Sequence, residues 1–206
     1  MDGALGRASV SRKRRQPEND HKLGWTTLSS RVAWQGRFPV FEDEIAADLD
    51  GRRHTYTYLA SRARAVAVLA QDDDGRILTV REYRHPLKEV VCDLPMGSIG
   101  PDEEPRAAAL RELREETGYA ALSADSYGAI HPIPALTRLR LEFFRARGLE
   151  YVGHDRDRSE ILQTEWIPLE AVLSGINDGR FHVGALPLGV LLADARGQLD
   201  RDQDDR

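Results

Sequence analysis

Hydrophobic and polar positions alternate along the N-terminal third of the chain. Between Trp25 and Leu59, β-branched and aromatic residues recur in short runs that polar residues separate. One of the separating segments, Asp48 to Arg52, has the Asp and Gly content of a hairpin turn. The pattern therefore predicts an N-terminal antiparallel β region over residues 23–60.

Two apolar runs follow, Arg64 to Leu69 and Ile77 to Tyr83, and they flank three aspartates and a glycine at positions 72–75. Asp and Gly favour tight turns, because an Asp side chain can bond the backbone two residues on and Gly accepts a positive φ. We therefore predict a second hairpin with its turn at 72–75, in preference to a metal site built from the aspartates.

The stretch from Gly97 to Tyr119 has helical spacing instead. Pro105 suits the first turn of a helix, where its missing N–H costs nothing, and Gly118 suits the position just past a helix end. An apolar stripe at helical spacing lies between them, formed by Ala109, Leu110 and Leu113. The stretch therefore predicts a helix that Pro105 opens and Gly118 ends.

Three glutamates share another face of this helix. Glu112, Glu115 and Glu116 stand at i, i+3 and i+4, a spacing that brings their carboxylates together. Like charges at this spacing destabilise a helix by about 0.2–0.5 kcal/mol per pair. A solvated face and a bound cation both account for the arrangement, and the helix pattern alone leaves both open. A hard divalent ion would use carboxylate and carbonyl oxygens.

Three strands and then two helices are predicted for the rest of the chain. The pattern predicts strands at Ser126–Ile133, Arg138–Arg145 and Ile161–Ile167, a helix that Pro168 opens, and a last helix at Val183–Ala195. The polar ends, 1–22 and 196–206, are predicted to be disordered tails. The fold class is therefore α/β, with a main domain over residues 61–195.

Composition restricts the function classes. The chain has 206 residues, 41% of them hydrophobic, and a net charge of −5, which fits one globular core and argues against bulk electrostatic binding of nucleic acid. Cys92 is the single cysteine, which excludes an internal disulfide and fits a reducing cytoplasm. No apolar run is long enough for a membrane span or a signal peptide. We expect a cytoplasmic protein without nucleic-acid or membrane partners.

The stretch that begins at Gly97 also has a characteristic set of fixed positions: Gly97, Glu103, Arg111-Glu112-Leu113, Glu115-Glu116, Gly118 and Tyr119. Their spacing resembles the Nudix box of the Nudix hydrolases, G-x5-E-x7-R-E-U-x-E-E-x-G-U, where U is a bulky aliphatic residue. The match departs from the box at Tyr119. The resemblance implies an α/β/α sandwich with a mixed β-sheet, and metal-dependent cleavage of a nucleoside diphosphate linked to another group.

The resemblance also implies roles for individual residues. Mg²⁺ or Mn²⁺ would be held by Glu112, Glu115 and Glu116 together with the backbone carbonyl of Met96. Arg111 would orient the carboxylates, and Glu103 would hold the loop or a metal-bound water. Relatives often carry the catalytic base in a loop six residues before an aromatic residue, the spacing of Glu160 and Trp166; Asp157 and Asp155 are alternatives to Glu160.

Two further segments resemble one branch of that family. Arg81–Arg84 reads R-E-Y-R where ADP-ribose pyrophosphatases and related nucleotide-sugar hydrolases often have Q-Y-R, and Asp93–Gly97 reads D-L-P-M-G where they have E-L-P-A-G. Pro134 lies about fifteen residues beyond the box, where relatives that cleave ADP-ribose place a proline. The branch implies hydrolysis of ADP-ribose or a related nucleotide sugar to a nucleoside monophosphate and a sugar phosphate.

Substrate contacts follow from the same resemblance. Trp25 and Tyr56 lie in the region where relatives hold adenine between aromatic rings, across a homodimer whose β region packs or swaps over the two-fold axis. Burial in a dimer interface would suit both side chains equally well. Arg81 and Arg84 are candidates for contacts with the diphosphate or the terminal ribose, and surface ion pairs are the alternative.

Two other functions stay open. The chain could hydrolyse another nucleoside diphosphate derivative, such as GDP-mannose, NADH or a nucleoside triphosphate, or it could be a regulatory module that binds a nucleotide without catalysis. Regulatory Nudix domains tend to lose box glutamates or to carry a DNA-binding domain. Because this chain keeps every box glutamate, we favour the enzyme.

Overall fold

Two structural units share the chain in the computed structural model, which describes residues 25–36, 38–47, 51–59, 64–153 and 163–200. The first unit is formed by Met1–Arg62 and Ile133–Leu139, and the second by Ala63–Pro132 and Arg140–Arg206. The tail predicted at 1–22 and the turn residues 48–50 lie outside the described residues, as do positions 154–162 and 201–206.

The first unit contains a three-stranded antiparallel sheet in the order β1-β2-β3, with β1 at Trp25–Trp34, β2 at Val40–Ala47 and β3 at Arg53–Leu59. Strand alternation sorts its side chains onto two faces. Ion pairs join Arg31 to Glu42 and Arg53 to Glu44 on one face. Aromatic side chains occupy the other, where Tyr58 contacts Phe41 and Tyr56. The predicted antiparallel β region is confirmed.

A later segment of the chain completes this unit. Ile133–Leu139 runs beside the end of β3, where the backbone N–H of Leu59 donates to the carbonyl of Leu136 at 2.9 Å. The hydroxyl of Tyr56 donates to the carbonyl of Ala135 at 2.7 Å. Tyr56 is thereby fixed beside Pro134, which precedes Ala135 in the chain.

The second unit holds the remaining seven strands and three helices of the described residues. These elements are β4 (Arg64–Ala70), β5 (Arg76–Arg84), β6 (Glu89–Asp93), β7 (Met96–Ser98), α1 (Pro105–Thr117), β8 (Tyr119–Ile130), β9 (Arg140–Tyr151), β10 (Gln163–Pro168), α2 (Leu169–Asn177) and α3 (Ala185–Ala195). One sheet has the order β7-β4-β9-β8, with β4 and β9 parallel and the other neighbours antiparallel. The second sheet, β10-β5-β6, is antiparallel.

Helices cover both faces of the four-stranded sheet. Val66 and Val68 of β4 pack in one cluster with Ala109 and Leu113 of α1. Because successive side chains of a strand point to opposite faces, Phe143 of β9 points away from this cluster and lies against Gly189 of α3. Both faces of β4 are therefore buried, which explains its unbroken apolar run. The predicted α/β/α sandwich with a mixed sheet is confirmed.

The predicted second hairpin is wrong in its pairing. The turn forms, with the backbone N–H of Gly75 donating to the carbonyl of Asp72 and the N–H of Arg76 donating to the Asp72 carboxylate. In the described part of the chain, however, β4 and β5 meet at a single bridge, between Gln71 and Ile77. The two strands then enter different sheets, because β4 pairs with the distant strands β7 and β9.

Residues 196–200 lie within the tail that the sequence analysis placed at 196–206, yet they are described and hydrogen-bonded. Gly197, with φ +62°, reverses the chain after α3, and the N–H of Gln198 donates to the carbonyl of Ala193 at 2.8 Å. The Gln71 side chain exchanges two hydrogen bonds with the backbone of Asp200, at 2.7 and 2.8 Å. The Asp200 carboxylate forms an ion pair with the buried Arg145.

Within the described residues, no helix combines the length and the apolar character that a bilayer span requires.

The contacts of Asp200 predict that the end of the chain contributes to stability. Deleting residues 198–206 should lower the free energy of unfolding by about 2 kcal/mol, because it leaves the Arg145 guanidinium buried without its carboxylate. Deleting residues 201–206 alone is the matched control, since it keeps Asp200 and should be nearly neutral. Urea unfolding would compare the two proteins, and equal stabilities would contradict the role of Asp200.

Candidate active site

Helix α1 presents its carboxylates because its apolar side is buried. Ala108, Ala109 and Leu113 are fully buried, whereas Leu110 of the predicted stripe is half-buried. Pro105 occupies the first turn, and the helix ends at Gly118, whose φ is +75° and whose N–H donates to the carbonyl of Arg114. The predicted helix is confirmed at both ends, and its remaining face carries the glutamates.

Arg111 lies at the centre of the acidic face and uses all five of its N–H donors. Nε and Nη2 donate to the two oxygens of Glu103, at 2.8 and 3.0 Å. Nη1 donates to Glu112 at 2.8 Å and to Glu115 at 2.9 Å. Nη2 also donates to the backbone carbonyl of Ser98 at 3.0 Å. One guanidinium therefore joins three carboxylates to the strand beside the helix, which offsets the repulsion expected at this spacing.

Glu103 connects this cluster to the preceding loop. Its carboxylate accepts two hydrogen bonds from Arg111 and one from the backbone N–H of Gly100, at 2.9 Å. The Arg111 hydrogen bonds first, and the Gly100 N–H second, lower the pKa of Glu103 to about 2. The side chain is therefore charged at any pH near neutrality, and it holds Arg111 to the loop throughout.

Glu112 is more enclosed than Glu115, with 12% of its side chain exposed against 51%. Burial raises its pKa, and the hydrogen bond from Arg111 opposes that rise. Its carboxylate lies directly against Gly97: a Cβ at that position would be 2.0 Å from the Glu112 Cδ. Glycine at position 97 therefore leaves room for the Glu112 carboxyl group, which a larger residue would displace.

Glu116 completes the contact between α1 and β7. Its Oε2 accepts a hydrogen bond from the backbone N–H of Met96 at 3.0 Å. Met96, the residue whose carbonyl was predicted as a metal ligand, thus lies next to the acidic face. Six predicted site residues are therefore brought together: Glu103, Arg111, Glu112, Glu115, Glu116 and Met96.

The donors at this site suit a hard divalent cation in chemical type. They are carboxylate oxygens at helical spacing with a backbone carbonyl nearby, and Mg²⁺ and Mn²⁺ prefer oxygen ligands. A cation beside Glu112 would also offset the cost of burying that carboxylate. Among the described residues, no three acidic, His or Cys side chains are gathered closely enough to hold an ion. The carboxylates are instead held by Arg111 and by the Met96 N–H.

The other predicted site residues lie in different surroundings. Arg81 donates to Glu165 of β10 at 2.9 Å, and Arg84 forms an ion pair with Glu82. Trp25 packs edge-on against His54, with the ring centroids 5.9 Å apart. Trp25, Tyr56 and Pro134 belong to the first unit, and the arginines and glutamates belong to the second. Glu160, Asp157 and Asp155 lie outside the described residues.

Two backbone groups of the site were missed from the sequence. The carbonyl of Ser98 and the N–H of Gly100 bind Arg111 and Glu103, respectively. Any residue type can supply a backbone carbonyl or N–H group, so the sequence indicates such groups only indirectly. Arg111 and Glu103 are eight residues apart, which implies that the chain between them folds back, and such a loop must supply its own backbone hydrogen bonds.

Known proteins resemble this chain in sequence. A model of the NUDIX domain matches residues 61–186. The chain is 36% identical over 111 residues to an ADP-ribose pyrophosphatase of Bacillus subtilis (strain 168), a match that covers 53% of this chain and 60% of that protein. It is 31% identical over 122 residues to a methanol dehydrogenase activator of Bacillus methanolicus, covering 57% and 65%. The matches thus span less than two thirds of either relative.

A solved structure shows the same fold. The crystal structure of an ADP compounds hydrolase superposes with a TM-score of 0.75, covering 92% of this chain and 100% of that one at 21% sequence identity. At this identity the similarity shows the arrangement of strands and helices and does not identify a substrate.

The close approach of Gly97 to Glu112 predicts that substitutions at Gly97 and Gly100 differ in their effect. Gly97→Ala should lower the free energy of unfolding by about 1–3 kcal/mol, because the added methyl overlaps the Glu112 carboxyl group and displaces it from its hydrogen bond with Arg111. Gly100→Ala is the control, since a Cβ there would meet Glu103 at 3.3 Å, a contact that a small shift relieves. Equal losses in urea unfolding would contradict the steric role of Gly97.

Proposed function

The chain belongs to the Nudix family, and from this premise we propose that it hydrolyses the pyrophosphate bond of ADP-ribose or a related nucleotide sugar. The products are a nucleoside monophosphate and a sugar phosphate, AMP and ribose 5-phosphate for ADP-ribose. The observation that carries the proposal is the Arg111-centred group of carboxylates on α1, with Met96 and Gly97 of β7 beside it.

The site residues proposed to hold Mg²⁺ or Mn²⁺ are Glu112, Glu115, Glu116 and the backbone carbonyl of Met96. An ion bound there polarises phosphoryl oxygens and lowers the pKa of a bound water. The need for it follows from the substrate, because a pyrophosphate is negatively charged and repels both an incoming hydroxide and the carboxylates of the site.

Arg111 has an orienting role in this proposal. Its contacts to Glu103 and Ser98 anchor the guanidinium, and its Nη1 group then fixes the positions of Glu112 and Glu115. Because hydrogen bonds from Arg111 and the Gly100 N–H lower the pKa of Glu103 to about 2, this anchor stays charged at neutral pH. Glu160 is proposed as the general base that takes the proton of the attacking water. The basis is its position in the sequence, six residues before Trp166.

The proposed adenine contacts come from the first unit. Tyr56 is held by its hydrogen bond to Ala135 with part of its ring exposed, so a base can stack on it without disturbing that bond. Trp25 is 43% exposed and offers a second ring. Arg81 and Arg84 are proposed to contact the diphosphate or terminal ribose, for which they must share their N–H groups with Glu165 and Glu82.

Two relatives favour different functions for this chain. The Bacillus subtilis relative is an ADP-ribose pyrophosphatase, which favours the substrate class proposed here. The methanol dehydrogenase activator of Bacillus methanolicus makes action on another enzyme an alternative. The complete set of box glutamates favours hydrolysis in either case.

We further propose a cytoplasmic homodimer that packs through the N-terminal sheet, because Trp and Tyr are enriched at interfaces.

The metal assignment predicts a large difference between a glutamate within α1 and the glutamate at its N-cap. Glu116→Gln should reduce Mg²⁺-dependent hydrolysis of ADP-ribose on the order of 100-fold or more, because it removes a ligand charge. Glu104→Gln is the control, since Glu104 is exposed and its side chain makes no capping hydrogen bond. Phosphate release with a coupled phosphatase would be measured for ADP-ribose, GDP-mannose, UDP-glucose, NADH, coenzyme A and 8-oxo-dGTP.

Metal-dependent turnover that is highest with ADP-ribose would support the proposed substrate. Turnover highest with another compound would move the assignment to that nucleotide derivative. A folded protein that binds nucleotides and cleaves none of them would contradict the enzyme and favour the regulatory module. Unchanged turnover in Glu116→Gln would contradict the metal site.

The proposed base predicts a separation between turnover and metal affinity. Glu160→Gln should lower kcat by about 10²–10⁴-fold while leaving the Mn²⁺ dissociation constant within a few-fold of wild type, because a base acts on the proton and not on the ion. Asp157→Asn and Asp155→Asn are the matched comparisons within the same segment. A larger fall in one of these variants would transfer the role to that aspartate, and loss of Mn²⁺ binding in Glu160→Gln would make Glu160 a ligand.

A further inference from the structure

Asp93, the last residue of β6, is a buried carboxylate that the proposed chemistry does not use. It is 1% exposed. Its Oδ1 accepts hydrogen bonds from the backbone N–H of Leu186 at 2.7 Å and from that of Leu94 at 2.9 Å. Leu186 lies in the first turn of α3, where backbone N–H groups have no partner inside the helix. Asp93 therefore supplies the capping group of α3 from a different element.

The N-cap of α3 is shaped to admit this carboxylate. The N-cap residue is Gly184, which has no side chain of its own to cap the helix. Its φ is +74°, and a Cβ on it would lie 1.7 Å from the Asp93 Oδ2. Burial raises the pKa of Asp93 to about 6, against the opposing effect of the α3 N–H groups. The N-terminus of α3 therefore has room for the Asp93 carboxylate in one position only.

The residues that follow Asp93 are fixed in turn. Leu94 is fully buried and lies against Gly189 of α3, where a Cβ would be 2.8 Å from the Leu94 side chain. The carbonyl of Pro95 accepts a hydrogen bond from the N–H of Val68, in β4, at 2.8 Å. Each residue of this connection is therefore held by a neighbouring element of the fold.

The far end of the same connection touches the carboxylates of α1. The N–H of Met96 donates to Glu116, and Gly97 lies against the carboxyl group of Glu112. Five consecutive residues thus run from the first turn of α3 to two glutamates of α1. The connection is short and each of its residues is packed against a neighbouring element. Because close-packed structure transmits a displacement, we expect a shift of Asp93 to move Met96 and Gly97 as well.

We propose that Asp93 is a positioning residue, which sets the place of Met96 and Gly97 against Glu116 and Glu112 by holding their connection to the N-terminus of α3. The inference rests on the proposed function, since its consequence is the geometry of a metal site. Supporting residues of this kind change metal affinity or activity by about 10–100-fold when they are lost.

The test compares three changes at Asp93 with one change within α3. Asp93→Ala removes the acceptor, and Asp93→Glu keeps the charge but adds a methylene where Gly184 leaves no room. Both should weaken Mn²⁺ binding and lower kcat for ADP-ribose by about tenfold or more. Asp93→Asn keeps an oxygen acceptor of the same length and should stay within about threefold of wild type.

Val190→Ala is the control for lost stability, because Val190 is fully buried in α3. It should lower the temperature of unfolding while leaving the Mn²⁺ affinity of the folded protein unchanged. Mn²⁺ affinity would be measured calorimetrically, well below the unfolding temperature of every variant, and kcat and KM separately. If Asp93→Ala does not fold, Asp93→Glu and Asp93→Asn give the same comparison.

The outcomes separate this inference from the function on which it rests. Wild-type Mn²⁺ affinity and kcat in folded Asp93→Ala or Asp93→Glu, in a protein whose wild type binds Mn²⁺ and hydrolyses ADP-ribose, would overturn the positioning role alone. A loss of affinity in Val190→Ala as large as that in Asp93→Ala would also overturn it. A wild type that neither binds Mn²⁺ nor hydrolyses any compound of the panel would overturn both the positioning role and the proposed function.

Discussion

The second unit must offset the electrostatic repulsion among several neighbouring carboxylates. Glu112, Glu115 and Glu116 lie on one face of α1, and Glu103 approaches the same face from the loop. Arg111 offsets this repulsion with five hydrogen bonds. Three go to acceptors on α1 or β7, and two go to the loop residue Glu103. A planar, permanently charged group is needed for this, because a lysine has three donors and no fixed geometry.

Close backbone approach is the second condition, and glycine meets it twice. Gly97 lets β7 pass against the carboxyl group of Glu112, and Gly184 lets α3 begin against the carboxylate of Asp93. In both places a methyl group would overlap an acidic side chain. At each place the missing side chain makes room for a carboxylate that other groups hold: the backbone N–H groups of Leu94 and Leu186 bind Asp93, and the Arg111 guanidinium binds Glu112.

The sequence was sufficient wherever the interaction is local. The limits of α1 follow from Pro105 and Gly118, and the shared face of the glutamates follows from their spacing, because both depend on residues within a turn or two. The pairing of β4 could not be found in this way. Its partner β9 begins at Arg140, and nothing in an apolar run specifies a partner so distant. The bond from Leu186 to Asp93 spans 93 residues and was missed for the same reason.

The division of the chain into two units bears on how the proposed activity could vary. The carboxylates, Arg111 and the Asp93–Gly97 connection all belong to the second unit, whereas Trp25, Tyr56 and Pro134 belong to the first. Substitutions at the aromatic residues leave every contact of Arg111 intact, since those contacts are made within α1, β7 and their loop. The proposed base contacts can therefore change while the contacts of Arg111 stay as they are. A change at Arg111, in contrast, disturbs Glu103, Glu112 and Glu115 together, because one guanidinium binds all three.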